Sequence, residues 1–136
     1  MRPVAFLPFI LLLLFSPFVL LAEGSDEEEG EIKAALYYEF TPSFIANLSK
    51  GGRYVRCDIQ LMTRDEHTFE MIKLHSAALR HHLLLLLSEQ EGSTIKSTKG
   101  KEALRKKALT TANKALADIV EDVSIEALFF TSFFVQ

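Results

Sequence analysis

The segment Arg53–Thr63 reads RYVRCDIQLMT, and its alternation constrains the fold more than any other feature of the chain. Val55, Cys57, Ile59 and Leu61 fall on one parity, and Arg56, Asp58 and Gln60 fall on the other. Successive side chains of a strand point to opposite faces, so the pattern predicts a half-buried β-strand with Cys57 on its inner face. Such a strand needs sheet partners and a layer that covers its apolar side. Cys57 is the chain's single cysteine, so no intrachain disulfide forms, and burial accounts for the thiol more simply than catalysis does.

The flanking segments supply those parts. Ala35–Ser49, ALYYEFTPSFIANLS, is rich in aromatic and branched residues, and Pro42 interrupts it, which predicts an edge strand or two short strands. Gly51 and Gly52 supply the turn into the alternating strand. Thr63-Arg64-Asp65-Glu66 fits a capping box with Thr63 as N-cap and Glu66 reaching back. A long helix is expected from there to Gly92, with Phe69, Ile72, Ser76, Leu79, Leu83 and Leu86 on one face. A short extended piece is expected around Ile95. A second helix is expected from Thr98, because Leu104, Ala108, Ala112, Leu116 and Val120 recur at every fourth position. Arg105, Lys106 and Lys107 then form a solvated helix face. The closing VSIEALFFTSFFVQ packs four phenylalanines and Val135 into a short window, which predicts a strand buried on both sides. Taken in order, these elements predict an α+β domain over residues 35–136. Its small, largely antiparallel sheet carries two helices packed on one face.

Ahead of this domain lies an apolar N-terminal segment. Pro3–Ala22 contains no charge, Arg2 precedes it, and Glu23 and the run Asp26-Glu27-Glu28-Glu29 follow it. Residues 1–22 are therefore a membrane-targeting segment, marked by Pro3, Leu11, Leu14, Leu21 and Ala22. Two readings stay open: a secretory signal cleaved near Ala22, or a retained anchor, since about twenty residues at about 1.5 Å each reach across a bilayer core. Both place the domain outside the cytoplasm, with the positive end kept inside. Residues 23–34 are acidic at their start and free of aromatics, and are expected to form a flexible leader. The net charge of −3, with both signs mixed and no dense basic stripe, argues against a nucleic-acid partner.

Leu79–Ser88, LRHHLLLLLS, suggests both a metal site and a membrane span, and supports neither. A span needs about twenty apolar residues. Here five leucines lie between Arg80-His81-His82 and Glu89. Metal ligands must converge, whereas neighbours on a helix such as His81 and His82 point about 100° apart. The leucines do more than fill a core stripe. Leu83 and Leu86, and conditionally Leu87, serve it, which leaves Leu84 and Leu85 over as candidate subunit-interface residues. The chain has no nucleophile elbow, phosphate-cradling glycine loop, HExxH or paired cysteines. No catalytic residue, cofactor or metal is assigned, and the chain is expected not to be an enzyme.

Five stretches in this order, YYEFTPSFIANL, RYVRCDIQL, LRHHLLLLLSEQ, KGKEALRKKAL and ALFFTSFFVQ, resemble the flagellar basal-body-associated FliL family over Tyr37 to Gln136. The most specific parts are Phe40 to Leu48, the leucine-rich helix through Ser88, the Gly100 to Leu104 helix start, and Phe130 to Gln136. The resemblance implies a stomatin-like domain in the periplasm, at or anchored to the inner membrane. It implies a non-enzymatic accessory protein that forms homo-oligomeric rings around the stator units of the flagellar motor. Its effects would fall on torque, swarming and rotational switching in chemotaxis. Typical members have a basic cytoplasmic stretch before a transmembrane helix, whereas here only Arg2 precedes the apolar run, as in a signal-peptide-bearing subgroup. The other expectation is a periplasmic scaffold or adaptor of the same fold serving another inner-membrane complex.

Overall fold

A computed structural model describes residues 32–136; the segment expected to target the membrane, 1–22, and most of the expected leader, 23–34, lie outside the described residues. The alternating segment forms a ten-residue strand, β3 (Tyr54–Thr63), around which the sheet is organised. Val55, Cys57, Ile59, Leu61 and Thr63 are buried, and the other parity is open or half-open to solvent, as the period of two requires. Pro42 divides the preceding segment into β1 (Leu36–Glu39) and β2 (Phe44–Asn47), with a cis Thr41-Pro42 peptide between them. Both pair antiparallel with β3 along the same edge, β1 against its C-terminal part and β2 against its N-terminal part. The last strand, β4 (Ala127–Val135), pairs antiparallel with the whole of the opposite edge. The sheet is therefore fully antiparallel among the described residues.

Four helices follow β3 in the chain: α1 (Glu66–Leu74), α2 (Ser76–Ser88), α3 (Gly92–Ile95) and α4 (Thr98–Ala117). The long ones, α2 and α4, pack on each other, with α2 over β2 and α4 beside β4. Leu79, Leu83 and Leu87 from α2 meet Leu104, Ala108, Ala112 and Leu116 from α4 and the inner residues of β3 in one core. Alanines recurring on α4 leave room for the leucines opposite, so the two helices interdigitate.

Several local expectations are corrected. The first helix is not continuous: His75, at φ −107° and ψ 19°, leaves helical geometry and separates α1 from α2. The N-cap is Asp65 and not Thr63, which is the last residue of β3. Asp65 accepts hydrogen bonds from the Thr68 N–H at 2.7 Å and the Thr68 hydroxyl at 2.6 Å, satisfying a donor of the first turn. α2 stops at Ser88, and the region around Ile95 is the short helix α3, not an extended piece. Gly92 belongs to α3 because the β2–β3 turn lies against it. The Gly92 N–H donates to the Lys50 carbonyl at 2.8 Å, and a Cβ there would sit 2.1 Å from the Gly51 carbonyl oxygen. The loop from α4 to β4 is held by Asn113, whose side chain both donates to the Ile125 carbonyl and accepts from its N–H.

The largest correction concerns β4. It is not buried on both sides: Leu128 is buried, but Phe129 and Phe134 are 39% and 55% exposed. A β-bulge accounts for this. Asp58 lies opposite Ser132 and Ile59 opposite Phe130, so Thr131 is an extra residue in β4. The bulge resets the parity. Leu128, Phe130, Phe133 and Val135 lie opposite inner residues of β3, and Ala127, Phe129, Ser132 and Phe134 lie opposite outer ones.

Candidate functional site

The leucine run of α2 divides by depth. Leu79, Leu83 and Leu87 are fully enclosed, Leu84 and Leu86 are half-buried against the core, and Leu85 is 49% exposed. Of the two candidate interface residues, Leu85 thus stands on the surface, while Leu84 is shared between surface and core. Leu87, four residues after Leu83 on the continuous α2, is enclosed, and Leu86 packs half-buried beside it. Beside this region, Leu86 and Glu89 of α2 and Ala103, Lys106 and Lys107 of α4 line a groove of about 440 Å³. Lys106 and Lys107 are solvent-exposed, as expected for a solvated helix face.

The ionisable groups form separate local pairs. Burial pushes the Cys57 thiol up to about 12, with the neighbouring Asp58 carboxylate adding to the effect, so the thiol is protonated and unreactive in the folded protein. Arg80 from α2 lies with its guanidinium carbon 4.3 Å from the Phe44 ring centre and donates to the Ser43 carbonyl at 3.0 Å. It fixes the Pro42 turn to the helix layer, and its Nη1 is buried without a hydrogen-bond partner. Arg105 grips Glu102 through two hydrogen bonds, which hold the Glu102 carboxyl below its ordinary range and the Arg105 guanidinium above its own. His81 and His82 are exposed, with ring centres 5.5 Å apart. Among the described residues no group of three or more His, Cys, Asp or Glu side chains comes together to hold a metal. Among the same residues no helix is long and apolar enough to cross a membrane, and Pro3, Leu11, Leu14, Leu21 and Ala22 lie outside them.

The surface that sequence reasoning missed is the outer face of the sheet. Tyr37 of β1, Ile45 of β2, and Phe129 and Phe134 of β4 are all exposed there, at 54%, 61%, 39% and 55%. The register sets Ile45 and Phe134 on either side of Arg56, Phe129 beside Gln60, and Tyr37 beside Met62. A solvated sheet face ordinarily alternates polar residues outward, and four large side chains here depart from that pattern. A depression of about 390 Å³ opens at the β4 edge between Phe129, Phe130 and Phe133 and the Thr98, Lys101 and Arg105 side of α4. The Lys101 ammonium sits 5.3 Å from the Phe133 ring centre. The signal in the sequence was the doubled pair FF-TS-FF, which cannot keep a period of two without a bulge.

Residues 37–136, from within β1 to the end of the described chain, match the family described as flagellar basal body-associated protein FliL. The chain is also similar to the flagellar protein FliL of Aquifex aeolicus (strain VF5), with 22% identity over 106 residues. That similarity covers 76% of this chain and 63% of the relative, so the chain spans less than two thirds of the relative's length. With β2, β3, β4 and both long helices inside the matched region, the chain belongs to the FliL family of flagellar basal-body-associated proteins.

Proposed function

We propose that this chain is a non-enzymatic accessory protein of the bacterial flagellar motor that self-associates, contacts the stator units and modulates rotation, including torque, swarming and switching in chemotaxis. It acts in the periplasm, at or anchored to the inner membrane. The observation that carries this reading is the family match across residues 37–136. The uncharged Pro3–Ala22 segment after Arg2 supports export of the domain. The exposed Leu85 and the apolar outer sheet face support the need for partners.

The test is rotation of tethered cells under high load, with and without the gene. Reduced torque or altered reversal, restored by the wild-type copy, is the expected result. Unchanged rotation in a flagellated strain would favour the second reading, a periplasmic scaffold of the same fold at another inner-membrane complex.

A further inference from the structure

The free edge of β4 is unprotected. Among the described residues β4 is an edge strand, with β3 on one side and no strand on the other. Ala127–Val135, ALFFTSFFV, contains no charge and no proline. Edge strands of soluble domains are normally blunted by lysine, proline or shortness, because their unpaired N–H and C=O groups invite another strand. This one is nine residues long and carries four phenylalanines.

Its sequence is close to a palindrome about the Thr131-Ser132 peptide. Phe130 mirrors Phe133, Phe129 mirrors Phe134, and Leu128 mirrors Val135. In a regular strand this symmetry would be useless, since residues three apart point to opposite faces. The bulge at Thr131 removes the conflict. Phe130 and Phe133 both lie on the inner side, their ring centres 5.0 Å apart, and Phe129 and Phe134 both lie on the outer side.

The backbone agrees. Tyr54 and Gln136 exchange both of their hydrogen bonds, so alternation aims Phe134 and Ser132 at β3 and Phe133 and Val135 at the open edge. Before the bulge, the Phe40 N–H donates to the Ile59 carbonyl, so Ile59 faces β1 and Gln60 faces its β4 partner Phe129. Leu128 and Phe130 therefore aim outward. The Arg105 guanidinium reaches the Leu128 carbonyl at 3.3 Å, as an outward carbonyl allows, and leaves that oxygen a second lone pair. The residues that offer hydrogen bonds to the edge, Leu128, Phe130, Phe133 and Val135, are the ones the palindrome matches to each other.

We propose that two copies of this chain join antiparallel through β4, about a two-fold axis at the Thr131-Ser132 peptide, with Phe130 opposite the partner's Phe133 and Leu128 opposite the partner's Val135. The contact is isologous, so it closes on itself and forms one continuous sheet across both copies. The axis stands perpendicular to the sheet. The helices of both copies then lie on one side, and the outer faces bearing Tyr37, Ile45, Phe129 and Phe134 merge on the other. The pairing rests on the part of the reading above in which the chain self-associates; it gives a closed pair a surface and a register, and a ring would need a further, heterologous contact.

The register is tested by mixing two single variants of the full chain, Ala127→Cys and Gln136→Cys. These positions face each other across the proposed axis as a non-hydrogen-bonded pair, about 4.5 Å between Cα atoms, within disulfide reach. Equivalent positions in the two copies lie about 30 Å apart, nine residues at about 3.4 Å each. Mild oxidation is expected to link the mixture at least tenfold more than either variant alone, with buried Cys57 contributing nothing. Thr131→Lys combined with Ser132→Lys, both at exposed positions, is expected to abolish the link in the same background while the circular dichroism spectrum is retained. Linking of a single variant alone, or no linking of a folded mixture, overturns the pairing. Light scattering on the unmodified chain separates the two failures. An oligomer that does not link this way keeps the self-association and loses the β4 contact, and a monomer loses both.

Discussion

β3 and β4 are paired along their whole lengths, yet they solve the problem of facing water in opposite ways. β3 is interior to the sheet and sets Arg56, Asp58 and Gln60 on its outer face. β4 is at the edge and sets Phe129 and Phe134 on the same face. The interior strand, which hydrogen-bonds on both sides, tolerates charge on its open face. The edge strand, where charge would ordinarily protect against association, has none. The difference teaches that the inner parity of β4, with Leu128, Phe130, Phe133 and Val135, is shaped by folding as β3 is, whereas folding alone does not call for Phe129 and Phe134 on its outer parity.

Shifting β3 by one residue should have the largest effect. Deleting Asp58 turns Ile59 and Leu61 on one side of the cut, or Val55 and Cys57 on the other, away from the core, because a one-residue slip flips every side chain. The expected outcome is loss of cooperative unfolding by circular dichroism. The same operation in β4 should be tolerated. Deleting Thr131 leaves LFFSFFV, a strict alternation with the same residues inside, and should lower stability by about 1 kcal/mol. A deletion of Thr131 that unfolds the chain would contradict the bulge assignment.

Side-chain truncation is the next largest effect. Leu61→Ala removes a fully buried side chain from β3 and should cost about 2–5 kcal/mol in denaturant midpoint measurements. Phe134→Ser on the outer face should change monomer stability by about 0.5 kcal/mol or less.

Cys57 adds a pH dependence to the inner face of β3. Its thiol pKa is raised from 9.0 to about 12 in the folded chain. The unfolded chain therefore releases the proton first, and the contribution is fully present below pH 9 and lost as the pH rises through about 12. The stability gap between wild type and Cys57→Ala should narrow between pH 9 and pH 11, measured by denaturant midpoints. A constant gap would mean the thiol ionises equally in both states.

Where the sequence was legible, the signal was local. The alternation of β3, the split at Pro42 and the α4 stripe from Leu104 to Leu116 each follow from a few neighbouring residues, and each holds in the structure, whereas Val120, expected on the same stripe, lies past the helix end at Ala117. What escaped depends on partners distant in the chain. No glycine or proline announces the break at His75. Asp65 takes the cap because Thr63 is needed in β3, where its hydroxyl donates to the Ser124 carbonyl across 61 residues. The bulge at Thr131 is fixed by the β3 register, so the apolar edge was hidden behind a pattern that looked like core. The depth of each leucine in the α2 run is likewise set by α4 and the sheet, which the run itself does not contain.

The smallest effect is expected where the outer surface of α2 begins. Leu85→Glu changes an exposed side chain and should leave monomer stability within about 0.5 kcal/mol of wild type. Leu84→Glu places a carboxylate half into the core and should be clearly more destabilising, since burial of an unpaired charge is penalised. If Leu85 is a contact with a neighbouring subunit or the stator, Leu85→Glu should weaken that association without touching the fold. It should do so even in the Thr131→Lys, Ser132→Lys background, where the β4 edge is blocked. Association lost in that background but indifferent to Leu85→Glu would leave the edge of the sheet as the surface that matters, and the leucines as part of the core.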